Sequence, residues 1–65
     1  MKIAYFKDTD TLYIELRANA AVETRDLDED TLVDVDSAGS ICGITIEHAS
    51  ERTEVPSISY ERVLT

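Results

Sequence analysis

Thr11-Leu12-Tyr13-Ile14-Glu15-Leu16-Arg17 alternates strictly, with Leu12, Ile14 and Leu16 on one side and Tyr13, Glu15 and Arg17 on the other. A period of two belongs to a strand with one buried face. Residues 2–6 form a shorter run upstream. The intervening Lys7-Asp8-Thr9-Asp10 has turn chemistry, because short Asp side chains hydrogen-bond nearby backbone. The two runs therefore read as a hairpin. Pairing Phe6 with Thr11 sets Tyr5 opposite Leu12, Ile3 opposite Ile14 and Met1 opposite Leu16, so every core-facing pair is apolar; a one-residue slip destroys that match.

A second hairpin has Thr31-Leu32-Val33-Asp34-Val35-Asp36 as one arm, Ser37-Ala38-Gly39-Ser40 as the turn and Ile41-Cys42-Gly43-Ile44-Thr45-Ile46-Glu47 as the other arm. Pairing Asp36 with Ile41 puts Val35 opposite Cys42 and Val33 opposite Ile44. Gly39 supplies the positive φ that such a loop commonly needs. Gly43, inside a strand pattern, predicts a bulge or a close approach by another backbone. Between the hairpins, residues 20–25 read as a connecting strand and the acidic run Asp26-Leu27-Asp28-Glu29-Asp30 as a solvated turn. Residues 48–54 suit a short helical turn or an irregular segment before Pro56. The tail, residues 57–65, favours a strand through Ile58, Tyr60, Arg62 and Leu64, although Tyr60, Val63 and Leu64 also fit one face of a short helix.

These elements predict a mainly β fold (β or α+β): an antiparallel meander of four or five short strands with a short turn or helix and an extended C-terminal tail. Residues 1–65 make one small domain, in which residues 52–65 are a tail available as an added strand or a dimer contact. Ile3, Tyr5, Leu12, Ile14, Leu16, Val22, Val33, Val35, Ile44 and Ile46 are the expected buried face.

Six Lys and Arg against fourteen Asp and Glu leave a net charge of −8. The cations are scattered, so no basic patch for nucleic acid can be drawn. So short a chain has little room for a deep substrate cavity, which argues against an enzyme. Cys42 is the only cysteine and no disulfide can staple the domain, which suits a reducing cytoplasm. The apolar run at the N-terminus is too short for a signal-peptide core, and no later run approaches a membrane span.

The strand Asp10–Leu16, the turn Asp34-Val35-Asp36-Ser37-Ala38-Gly39 and the stretch Gly43-Ile44-Thr45-Ile46-Glu47-His48-Ala49-Ser50, in that order and spacing, resemble the small prokaryotic family catalogued as domain of unknown function 2283. The resemblance runs from about residue 1 to residue 52. The family form often has Glu where Thr45 stands and Leu near His48, and the tail from Thr53 falls outside it. It implies a small sheet-rich fold with no established activity, some relatives looking like antitoxin partners of small toxins, and it carries over no functional residues.

Three constellations invite a chemical reading. Asp34–Gly39 begins like a calcium loop, then fails: Ala38 stands where Asp or Asn is wanted and Thr45 where a bidentate Glu is wanted. A β-turn with two exposed acids explains it, and Asp8 and Asp10 take the same reading in the first turn. Glu47-His48-Ala49-Ser50 brings a base near a hydroxyl but lacks a nucleophile elbow, so Ser50 reads as capping a short turn and His48 as a surface residue. Cys42 with His48 supplies only two of the four ligands of a structural zinc site, so Cys42 reads as a small core residue. No catalytic, cofactor-binding or metal-ligating residue is assigned.

The expected partners are a second copy of the chain and a small basic protein. One sheet has two faces to cover, and Val55, Ile58, Tyr60, Val63 and Leu64 of the tail, with Phe6, Tyr13, Leu32 and Ile41 opposite, offer contact surface. This predicts a homodimer formed by packed sheets or paired edges. The functional reading is a protein-binding module, antitoxin-like; the alternative is a small acidic structural or weak divalent-ion-binding protein. Replacing Leu12 or Ile44 by Asp places an unpaired charge on the core face of a domain whose stability is only about 3–5 kcal/mol. Either variant should lose the strand signature in far-ultraviolet circular dichroism.

Overall fold

The computed structural model describes residues 1–64. Five strands, β1 (Lys2–Phe6), β2 (Thr11–Glu15), β3 (Glu23–Asp28), β4 (Thr31–Val35) and β5 (Ile41–Ile46), form one antiparallel sheet in the order β1-β2-β5-β4-β3. One helical turn, α1 (Ala49–Arg52), comes after β5. The fold is mainly β, as the alternation requires. The chain runs as two meander pieces, β1–β2 and β3–β4–β5. The connection between them leaves β2 and re-enters at the far edge, so that the last strand slots between β2 and β4.

The first hairpin has the register that its apolar pattern dictates: Phe6 faces Thr11, Tyr5 faces Leu12 and Ile3 faces Ile14. Across the next pair Leu12 meets Ile46 and Ile14 meets Ile44, and then Ile44 meets Val33. One row of apolar side chains thus crosses four strands. Leu12, Val33, Val35 and Cys42 are buried, together with Ala49 of α1. Tyr5, Ile14, Ile44 and Ile46 are only half-buried, and Ile3, Leu16 and Val22 are exposed. The expected buried face is therefore only partly covered, and Ile14, Ile44 and Ile46 on the inner strands β2 and β5 keep part of their surface open. One layer of sheet with a single helical turn has no second layer to lay over it.

In the second hairpin Val33 faces Ile44 as expected, but Val35 faces Ile41 and not Cys42, because a bulge intervenes beside Asp34. The Asp36 carboxylate draws the turn tight by accepting the N–H of Ala38 (2.9 Å) and Ser40 (3.0 Å), and β5 absorbs one extra residue. Gly39 has the positive φ (83°) that the turn needs. Asp36 is 8 % exposed, so this turn acid is not the solvated one that composition suggests. Asn19 Nδ2 also donates to it (3.1 Å), which fixes the crossover to the end of the sheet. Leu16 N, Arg17 N and Val22 N complete that attachment on the carbonyls of Cys42 and Val35.

β3 lies further along than the pattern suggests: it spans Glu23–Asp28, and the turn shrinks to Glu29 and Asp30. All six residues are exposed. Backbone pairing with β4, with a register shift between Asp26 and Asp28, holds an edge strand whose side chains have no core to reach. The tail forms neither the expected strand nor a helix; residues 57–64 are irregular and exposed, and Thr65 lies outside the described residues. The edges of the sheet are β1 and β3, and the tail pairs with neither, so its backbone gains no ladder partners.

Gly43 borders the expected bulge, where pairing jumps from Asp34–Gly43 to Val35–Ile41, and it also admits a close approach, by a side chain and not by backbone. A Cβ there would lie 2.5 Å from the Tyr13 hydroxyl and 3.1 Å from Asp34 Oδ2. Tyr13 leans across this gap and donates to Asp34 Oδ2 (3.3 Å), while Thr24 Oγ1 donates to Oδ1 (2.8 Å). A polar row on the second face thereby ties β2, β4 and β3 over β5. Gly43→Ala should cost about 1–3 kcal/mol by overpacking. Tyr13→Ala in the same chain should recover most of that loss; urea denaturation of the two single variants and the double variant measures the coupling.

Candidate functional site

One end of the sheet gathers the chain's polar chemistry. Asp10 closes the first hairpin with a left-handed backbone (φ 54°), which Asp tolerates because its short side chain bonds locally. Its carboxylate accepts the Tyr5 hydroxyl (2.6 Å), the Ser50 N–H (3.0 Å) and the Ser50 hydroxyl (2.7 Å), and its carbonyl accepts Ala49 N–H (2.9 Å). The first N–H groups of α1, which have no partner within the helix, are satisfied by a residue forty positions away. Ser50 is thus not the helix cap. The N-cap position is His48, also left-handed (φ 54°), whose side chain makes no capping bond.

His48 turns instead to the β3–β4 turn, where Nδ1 lies 2.7 Å from Asp30 Oδ1. Arg52 donates to Thr31 Oγ1 and lies 3.7 Å from Asp28. Glu29, Asp30, His48, Glu51 and Arg52 line a shallow open groove of about 470 Å³. The hydroxyl and the imidazole that sit two residues apart in sequence are bound to different carboxylates, Ser50 to Asp10 and His48 to Asp30. Among the described residues no three His, Cys, Asp or Glu side chains converge on a point where they could hold a metal ion. Cys42 is buried, with its thiol 3.5 Å from the Asp34 carbonyl. Asp34 and Asp36, which open the calcium-like stretch, spend their oxygens on Tyr13, Thr24, Asn19 and turn N–H groups.

The titrations arise from these contacts. The Tyr5 hydroxyl, then Ser50, hold the Asp10 carboxyl below its ordinary value. The Ser40 N–H and Asn19 do the same for Asp36. The hydrogen bond to Asp30 raises His48. Sequence reasoning missed Asp10 and Asp36 as organising residues; a left-handed turn position at Asp10 carries no signature that distinguishes it from Asp8.

A family model described as a protein of unknown function, DUF2283, matches residues 2–50. The chain belongs to this family. The match takes in all five strands and the Asp10–Ser50 clamp and stops short of the tail. No curated protein and no solved structure matches the chain. No helix among the described residues is long and apolar enough to cross a membrane.

Carboxyls held low in the folded state contribute stability above their unfolded titration range and lose it as pH falls through the folded value. The raised His48 contributes below its unfolded value, and its contribution disappears as pH rises through the folded one. Stability should therefore peak at roughly pH 5–6.5, between the two ranges. Asp10→Asn keeps a residue that tolerates left-handed backbone and removes the charge. It should lower the melting temperature by about 5 °C or more at pH 7 and flatten the acid limb of the profile.

Proposed function

We propose that the chain is a non-enzymatic protein-binding module that receives a basic, extended segment of a small partner protein along β3, an antitoxin-like role. The observation that supports this reading is the β3 edge itself. It is the last strand of the sheet and exposed at every position, so one row of its N–H and C=O groups has no ladder partner. Glu23, Asp26, Asp28, Glu29 and Asp30 lie along it against the single cation Arg25, and Val22 and Leu27 stand exposed among them. Like charges discourage a second β3 from pairing there, whereas a basic strand gains both the ladder and the attraction. Apolar side chains then slow release after the acidic surface has steered encounter.

A peptide alternating lysine and valine is the defined probe. Titrated into the ¹⁵N-labelled protein, it should shift the backbone amides of residues 23–28, with affinity falling as salt rises. Asp26→Lys with Asp28→Lys should weaken it at least about tenfold. Shifts confined to other strands, or calcium uptake that raises the melting temperature while the peptide leaves β3 unmoved, decide against the reading. If a gene next to this one encodes a small basic protein, that protein is the physiological candidate for the same titration.

A further inference from the structure

The chain leaves two apolar surfaces incompletely covered. The first is the open part of the core face, formed by Ile3, Ile14, Ile44 and Ile46 with Leu16 just beyond β2; it bears no charge. The second is the tail, where Ile58 is 52 % exposed, Tyr60 82 % and Leu64 83 %. The tail begins after Val55, which is the last partly buried side chain, and residues 56–64 are left uncovered by the single chain.

Area and charge indicate what covers both. The accessible surface is 5138 Å², whereas a compact chain of 7.3 kDa exposes roughly 4,200 Å². The radius of gyration is 12.8 Å, against about 10.8 Å for a compact chain of 65 residues. The surplus surface, roughly 900 Å², is the amount that one partner buries in a stable interface of standard size. Beyond Pro56 the tail is neutral, since Glu61 and Arg62 cancel, although the whole chain carries −8. Both surfaces are thus free of the charge that would set two copies against each other.

We propose that residues 56–64 are an exchanged arm: the arm of one chain lies across the open apolar face of a second copy, over Ile3, Ile14, Leu16, Ile44 and Ile46, and receives the second arm in return. Two-fold exchange satisfies both surfaces twice and leaves no surface for further growth. The arm lies outside the residues matched by the family, so the dimer contact is an addition to the shared sheet. It is independent of the β3 edge. Its salt dependence has the opposite sign to that of a basic partner, because screening relieves the repulsion between two copies of −8.

Sedimentation equilibrium of the full chain at about 100 μM, in low and in high salt, tests the proposal beside the variant Ile58→Ser, Tyr60→Ser, Leu64→Ser. These three side chains are exposed in the single chain, so the variant keeps its fold, which circular dichroism checks. The expected result is a dimer for the natural sequence, tightening with salt, and a monomer for the triple variant. A monomer for the natural sequence at high salt overturns the proposal, and so does a triple variant that dimerises equally well. A tryptophan at position 60 (Tyr60→Trp) should shift its emission to the blue as concentration rises through the dimer range; an emission maximum that stays at the solvent-exposed wavelength decides against the arm.

Discussion

The pairing of β2 with β5 is the contact on which the rest depends. Leu12 against Ile46 and Ile14 against Ile44 join the first hairpin to the last strand, across roughly thirty residues of chain. Without that pairing β1–β2 is an isolated hairpin, marginal in water. With it, a row of aliphatic side chains runs through four strands, and the ends of the strands come into register. The crossover can then fasten to Cys42, Val35 and Asp36, and Asp10 can reach α1. Gly43 serves the same junction from the other face, since only a residue without a side chain lets Tyr13 lean over β5 towards Asp34.

Eight of the fourteen acids of this chain fall into two groups with different surroundings. Asp10, Asp34 and Asp36 are spent inside the fold as hydrogen-bond acceptors, each joining segments distant in sequence. Their position at turns and strand ends meets the rule that a polar group taken from water must find a partner. The acids from Glu23 to Asp30 stand along the edge strand and its turn; Glu23 is paired with Arg25, Asp30 meets His48, and Asp28 faces Arg52 and the turn N–H of Asp30. An acidic composition by itself does not separate these groups.

A sheet of one layer cannot close around its own core, and this chain shows how far local resources go. α1 contributes a buried alanine and caps one end, the crossover closes the other, and the centre of the apolar face stays half-covered. The residues matched by the family, 2–50, take in the sheet and the clamp, while the apolar side chains of the tail lie beyond them and are exposed.

The local pattern carried much of this. Period-two alternation in Thr11–Arg17 and a consistent apolar match with residues 2–6 determine the first hairpin and its register, because a half-buried strand leaves one face only for its aliphatic residues. The Val33–Ile44 match of the second hairpin, the positive φ of Gly39 and the burial of Cys42 are legible for the same reason. Tertiary structure alone decided the strand order, the shift of β3 into the acidic run, the bulge that moves Val35 opposite Ile41, the irregular tail, and the union of Asp10 with Ser50. The strand order and the Asp10–Ser50 union depend on partners far away in sequence, and the shift of β3 and the bulge on backbone and carboxylate hydrogen bonds; such bonds leave no periodicity in the side chains of the residues that make them.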